Sequence, residues 1–288
     1  MGFTIKELET LSGIKAHTIR IWEQRYKFLK PSRTPTNIRT YSNDELKTLL
    51  TVALLNRYGY KISRIDQMPS EQRNLEALNL SIGDVQTEHF TNELIGCMIE
   101  LRINQFEQIL ETHLHKNGLF HTITTLIFQF LERTGILWQT GRINAAHEHI
   151  VSNIIRQKIV AAIDKLPSTS KKDPLLLLLL PEYEFHELGL LFVYYLLKQK
   201  GLPVIYLGAN VPLKDVSYVV KNKEPDYIYM HLTSSSTKLN IYKFISALQA
   251  QSKLLISGSV TETFSKKTSS HVRVLKSFSE VHSYISTL

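Results

Sequence analysis

The sequence predicts a multidomain α plus α/β chain: an amino-terminal winged helix-turn-helix (1–70), a four-helix bundle (86–166) and a carboxy-terminal Rossmann-like, flavodoxin-like parallel-sheet domain (173–288). Three observations carry that order. Two short helical periods separated by a glycine, then a basic loop broken by prolines, occupy the start of the chain. Long helical periods with few breakers fill the middle. Short apolar runs alternating with helical stretches fill the last third.

In "FTIKELETLS" the apolar residues Ile5, Leu8 and Leu11 recur at helical spacing, and Gly13 ends the run. The next helix, about 15–25, buries Ile19 and Trp22 and turns Lys15, His17, Arg20 and Arg25 to the other side. Two short helices joined by a glycine turn form a helix-turn-helix whose second member enters the major groove. "FLKPSRTPTNIRTYS" follows, broken by Pro31 and Pro35 and carrying Arg33, Asn37, Arg39 and Tyr41, so it reads as a basic loop or β-wing. A third helix around 43–58 supplies Leu46, Leu49, Leu50 and Leu54 to the core. Residues 66–85, with Pro69 and Gly83, lose the long periodicity and are expected to be a linker.

Four helices are expected from 86 to 166, through Phe90, Leu94 and Met98; through Ile103, Phe106, Ile109 and Leu110; through Ile123, Leu126 and Phe130; and from Asn144 to Leu166. The last third holds "PLLLLLL" (174–180), "PVIYLG" (203–208), "DYIYMHL" (226–232), "KLLISG" (253–258) and "HVRVLKS" (271–277). Helical stretches between these strands imply a parallel sheet covered on both faces.

Charge locates the first function. Residues 1–66 hold 12 Lys/Arg against 6 Asp/Glu, whereas residues 67–288 hold 22 against 20, so most of the net +8 belongs to the first domain. That is the footprint of a nucleic-acid-binding module rather than of a uniformly basic protein. Cys97 is the one cysteine, in the apolar run "LIGCMIEL", which excludes an intrachain disulfide and favours a buried hydrophobe over a reactive thiol. The charged start "MGFTIKELE" does not resemble a secretory signal, and six leucines are too few to span a bilayer, so a cytoplasmic location is expected.

The second function is raised by Glu184-x-His186-x-x-Gly189, directly after the leucine run. Ligands of open α/β sheets sit beyond the carboxyl ends of the strands. A neutral imidazole there is a metal ligand in waiting, a carboxylate can fix its tautomer and basicity, and a glycine lets a ligand approach the backbone.

The first 70 residues, "FTIKELETLSGIKAHTIRIWEQRY...LKPSRTPTNIRTYS", resemble the MerR family of winged helix-turn-helix regulators. The resemblance implies a dimer, or a tetramer, on double-stranded operator DNA. It places Lys15, His17, Arg20 and Arg25 on the recognition helix and Arg33, Asn37, Arg39 and Tyr41 on the wing, with Arg25 and Tyr26 equally able to brace it. Glu184-x-His186-x-x-Gly189 resembles the motif of corrinoid domains, in which the histidine, here His186, replaces the cofactor's own base as the lower ligand of cobalt. "WQTGRINAAHEH" resembles the signature of the CarH and LitR photoreceptor regulators. In those the Trp, here Trp138, covers the upper face of the cofactor and a Glu-His pair, here Glu148 and His149, lines the same pocket.

What these resemblances imply together is a transcriptional regulator, not an enzyme, whose DNA affinity or oligomeric state is set by cobalamin, adenosylcobalamin being the expected form. The chain departs from the pattern at three places. His231, followed by Thr233, stands where the family carries a serine against the detached base, and Ser257-Gly258 stands where it carries a glycine pair. Gln139 replaces the histidine that follows the Trp, so a light-locked second histidine ligand is not expected there. The bulk of His231 would fill the channel for the nucleotide tail. Two other readings stay open: a MerR-type regulator that has lost cobalamin and keeps the region for oligomerisation or another ligand, and a corrinoid methyl-carrier subunit, which has no use for residues 1–66.

Overall fold

The structure is a computed structural model that describes residues 2–79, 83–167, 174–233, 241–248, 252–259 and 271–288. Contacts divide it into two units, Met1–Ile154 and Ile155–Leu288. The DNA-binding module and most of the bundle therefore cluster together, and the division falls within a bundle helix.

In the first unit, α1 (Ile5–Ser12) begins at a capping box in which Thr4 accepts from the Glu7 backbone and Glu7 returns to Thr4. It ends at Gly13, whose left-handed backbone (φ 72°) makes the turn into α2 (Ala16–Arg25). Leu8, Leu11, Ile19 and Trp22 form the small core with Leu29 and Tyr41. The wing is a two-stranded antiparallel ribbon, β1 (Ser32–Arg33) and β2 (Arg39–Thr40), with Asn37 at φ 63° in its turn. A second capping box, Ser42 with Glu45, starts α3 (Asn43–Arg57).

Residues expected to be a linker are largely helical: α4 (Ile62–Gln67) and α5 (Ser70–Asn79) occupy them. The period there is too short and polar to announce itself, and among the described side chains of "SEQRNLEALN" Ala77 is the buried one. The helix forms on tertiary contact rather than on its own amphipathicity.

The bundle helices are α6 (Gly83–Ile99), α7 (Ile103–His121), α8 (Phe128–Gln139) and α9 (Ala145–Asp164). Inside α7 the backbone breaks at Gly118 (φ 74°, ψ 169°), and a π-helical turn, Thr122–Ile127, then leads into α8. Phe106 and Phe130 meet edge to face in its core, centroids 5.4 Å apart. The bundle holds the DNA-binding module through ion pairs: Arg57 with Glu88 (2.7 Å), Lys47 with Glu100 (2.6 Å), and a two-pronged pair between Arg142 and Glu7.

The second unit is a five-stranded parallel sheet of β3 (Leu176–Pro181), β4 (Val204–Val211), β5 (Tyr227–His231), β6 (Lys253–Ser257) and β7 (Val272–Leu275), in the order β4-β3-β5-β6-β7. Leu176 to Leu180 are all buried, as a strand covered on both faces requires. Helices α10 (Leu188–Gln199), α11 (Leu213–Lys223), α12 (Ile241–Leu248) and α13 (Phe278–Thr287) complete it. The order reverses between β3 and β5, which makes the crevice beyond their carboxyl ends the switch point of the sheet.

Candidate functional site

The first candidate site lies on α2 and the wing. His17, Arg20, Arg25, Arg33 and Asn37 are exposed, as is Lys15, which stands at the N-cap of α2 rather than within it and pairs with Glu9 at 3.0 Å. Arg33 donates to Asn37 Oδ1 at 2.7 Å across the wing turn, which presents the pair as one polar tip.

Two expected DNA contacts are placed otherwise. Tyr41 is wholly buried, and its hydroxyl lies 3.4 Å from Glu23 on α2. Arg39 is half-buried, and its Nε donates to the same carboxylate at 2.7 Å. The carboxylate raises the Arg39 pKa, and burial with the nearby Glu23 charge pushes the Tyr41 phenol up to about 12. Both residues tie the base of the wing to the recognition helix. The alternation along β2 was the missed signal: Arg39 and Tyr41 share one face and Thr40 takes the other.

The second candidate site begins at the end of β3. The loop Glu182–Glu187 is fixed by Glu184, a carboxylate with 4 % side-chain exposure. Its Oε1 accepts from the His186 backbone at 3.0 Å and from the His186 ring at Nδ1, 2.6 Å away, while Oε2 accepts from the Thr233 backbone at 3.1 Å. One buried group thus orients the imidazole and joins the ends of β3 and β5. With Nδ1 turned to a carboxylate, Nε2 is the nitrogen through which the ring would ligate a metal. The His186 side chain is 64 % exposed, so the ring stands out of the crevice mouth.

The loop also holds residues that sequence reasoning passed over. Tyr183 sits at φ 69°, unusual for a bulky residue, and its backbone donates to Asn210 Oδ1 at 3.0 Å. Asn210, itself at φ 57°, returns its backbone N–H to Glu184 at 3.1 Å. Tyr183 and Phe185 are 45 % and 64 % exposed, so two apolar rings stand on the same loop as the histidine. The exposure of these rings was not readable from residue type, though aromatic residues alternating with a polar pair were the available hint.

The departures from the corrinoid pattern are interlocked. His231, at the end of β5, is buried, accepts from or donates to Ser257 Oγ through Nδ1 at 2.8 Å, and packs at 5.3 Å from the Phe278 ring. Ser257 also bonds the buried Tyr229 hydroxyl. A Cβ at Gly189 would lie 2.4 Å from His231 Cδ2, so the glycine is there to admit the imidazole. Burial, with the nearby His186 charge adding and Glu184 opposing, pushes the His231 pKa down to about 4, and the ring is neutral. Gly258, at φ 103°, lies so close to Leu232 that a Cβ would meet its carbonyl oxygen at 2.1 Å. Thr233 Oγ1 is buried without a hydrogen-bond partner among the described residues.

In the first unit, Trp138 ends α8 with 49 % exposure, and the carboxylate of Glu148 lies 2.5 Å from Nδ1 of the exposed His149 at the start of α9. The Gln139 side chain lies outside the described side chains. Among the described residues no three His, Cys, Asp or Glu side chains form a metal cage. Nor is any helix there long and apolar enough to cross a membrane.

Comparison with known proteins bears on the two modules rather than on single residues. Residues 3–72 match the MerR HTH family regulatory protein, and residues 91–162 match the B12 binding domain, a span that includes Trp138, Glu148 and His149. The chain is 27 % identical over 231 residues to the HTH-type transcriptional repressor CarH of Myxococcus xanthus, covering 78 % of this chain and 77 % of that one. It is 28 % identical over 239 residues to the HTH-type transcriptional repressor CarA of the same organism, covering 79 % and 75 %. The monomethylamine corrinoid protein of Methanosarcina barkeri shares the fold, with a TM-score of 0.55, 13 % identity, and coverage of 70 % of this chain and all of that one. The chain therefore joins a MerR-type helix-turn-helix module to a B12-binding module and is homologous, over most of its length, to the CarH and CarA repressors.

Proposed function

We infer that this protein is a DNA-binding transcriptional regulator controlled by cobalamin, a binding protein rather than an enzyme, acting in the cytoplasm. The observation that carries the cofactor half is the carboxylate-braced imidazole at the switch point, His186 Nδ1 at 2.6 Å from buried Glu184. A single oriented imidazole suits a metal that arrives inside its own macrocycle, and the aromatic rings of Tyr183 and Phe185 suit its apolar face.

When bound, the cofactor would supply a cobalt centre that a protein imidazole can ligate. His186 would be the ligand to cobalt, Glu184 would hold its tautomer, and Trp138, Glu148 and His149 would cover an adenosyl group, the form that most needs a cover. The exposed cations of α2 and the wing tip hold the DNA, with Arg20 and its neighbours at base edges and Arg33 on the backbone. Self-association presents two recognition helices to successive major-groove faces, about 34 Å apart. Cobalamin acts on DNA by favouring one assembly over another, and its effect equals its differential affinity for the two.

The test is direct. Protein mixed in the dark with adenosylcobalamin, methylcobalamin or hydroxocobalamin and then freed of excess ligand should retain cofactor whose absorption spectrum shows the cofactor's own base displaced. His186→Ala should lose retention while its circular dichroism is unchanged. Operator affinity and sedimentation should both change on loading. Retention of all three forms by His186→Ala with an unaltered spectrum would remove His186 from the metal.

A further inference from the structure

Between α10 and the ends of β5 and β6, the space beside the His186 loop is filled by one side chain. The His231 ring lies on the Gly189 backbone, is hydrogen-bonded through Nδ1 to Ser257 Oγ, and is covered by Phe278. Ser257 is itself held by the Tyr229 hydroxyl. On the far side, Gly258 is pressed against the Leu232 carbonyl, so the strand ends cannot close further or part without losing packing. This is the switch-point crevice, where a ligand of such a sheet is expected.

A corrinoid whose cobalt takes His186 must carry its displaced lower base elsewhere. The base is tethered to the macrocycle, so it enters whatever crevice adjoins the lower ligand. Gly189 lies three residues from His186, and the crevice it borders is the one His231 fills. Tail and imidazole therefore compete for one space, whereas a corrinoid without a nucleotide tail has nothing to insert. Thr233 Oγ1, buried without a partner among the described residues beyond His231, is a polar group that a displaced ring or an incoming tail would satisfy.

We propose that His231 makes the crevice select corrinoids by their lower tail: those lacking the nucleotide loop bind directly, and cobalamin binds only by driving the His231 ring off Gly189 and away from Ser257. This rests on His186 as the cobalt ligand and adds a specificity-determining residue to that reading. The displaced ring loses a buried hydrogen bond and its contacts with Gly189 and Phe278, which opposes cobalamin uptake without touching the metal.

The experiment compares diaquacobinamide with hydroxocobalamin on the full chain, reading retention, absorption spectra and, after one-electron reduction of the bound cobalt(III) with a chemical reductant, the cobalt(II) electron paramagnetic resonance of protein labelled with 15N-histidine. Wild type should hold cobinamide at least tenfold more tightly than cobalamin, with 15N coupling from His186 in both complexes. His231→Ser should bring the two within about threefold by tightening cobalamin. Where that variant fails to fold, His231→Asn, which keeps a hydrogen-bonding group near Ser257 in a smaller side chain, should narrow the ratio in the same sense. Equal affinities in wild type, or a ratio unmoved by either substitution, would overturn the proposal while leaving His186 as ligand. Failure of every protein to retain either corrinoid would remove the ligand as well, and the selectivity with it.

Discussion

The DNA-reading face and the switch-point crevice solve opposite problems. On α2 and the wing tip, His17, Arg20, Arg25 and Arg33 are exposed side chains laid over a core made by other residues, Leu8, Ile19, Trp22 and Tyr41. In the crevice the functional groups are themselves the packing: Glu184, His231 and Ser257 are buried and bonded to one another's neighbours. Function and stability are separable in the first region and not in the second. Substitutions therefore break or sharpen that contrast according to which region they fall in.

The largest effect is expected at Glu184. Its carboxylate accepts from the His186 backbone, the His186 ring and the Thr233 backbone, and Glu184→Ala would strand these donors near the ends of two central strands. The loss should be about 2–4 kcal/mol in urea unfolding, together with loss of corrinoid retention. Glu184→Gln, which keeps one acceptor, should recover part of the stability but not the orientation of His186. Unchanged stability in Glu184→Ala would mean that the crevice is not built on this group.

Arg20→Ala tests the other region. It should weaken specific operator binding by about 1–3 kcal/mol and leave random-sequence DNA nearly unaffected. Its unfolding midpoint should shift by no more than about 0.5 kcal/mol equivalent, because an exposed side chain is removed. A mobility-shift titration with operator and scrambled duplexes, beside a urea melt, reads both numbers.

How much of each region could be read from sequence follows from the same contrast. A surface module announces itself through pattern: charge excess, glycine turn and broken basic loop placed α1, α2 and the wing within a residue or two. The pattern failed where a polar residue serves the interior, as with Arg39 and Tyr41, whose shared partner Glu23 lies 16 and 18 positions away. The strand order needs pairings over long sequence distances, but five apolar runs with helical spacers were enough to predict its parallel character. The crevice was legible in its parts: the Glu184–His186 pair from spacing, and the bulk of His231 from residue type. Its interlock was not, because Gly189, Tyr229, Ser257 and Phe278 meet through the tertiary fold alone. The helix α5 was missed because its stability comes from what it packs on, and a polar decapeptide carries little sign of that.

Arg33 and Arg39 sharpen the comparison within the DNA module. Arg33 has no ion-pair partner of its own among the described residues beyond the neutral Asn37, so Arg33→Ala should lower the slope of log K against log salt by about 0.9. Arg39 is already neutralised by Glu23, so Arg39→Ala should change that slope less and weaken the seating of the wing instead. Glu23→Gln combined with Arg39→Ala should then cost less than the sum of the two single changes, as contact pairs do. Equal slopes for the two arginines would restore Arg39 to the phosphate backbone.

The effect hardest to isolate is the pH dependence of the crevice, because several buried histidines share it. His231 is neutral when folded, with a pKa of about 4 against an ordinary 6.5. Between those values the unfolded chain binds a proton that the folded chain does not. Stability is therefore full above the ordinary value, falls as the pH drops through that window, and stops falling from this cause below the folded pKa. The slope from one such group is at most about 1.4 kcal/mol per pH unit. Burial lowers the pKa of His89 and His113 as well, so the wild-type curve sums groups from both units. His231→Asn subtracts one of them: its urea midpoint should decline less steeply than wild type from pH 6.5 towards 4.5, and the two curves should run parallel above pH 7. Parallel curves throughout would mean that His231 takes up its proton in place, and a charged ring in that space would leave Gly189 and Ser257 for water, opening the crevice by acid rather than by ligand.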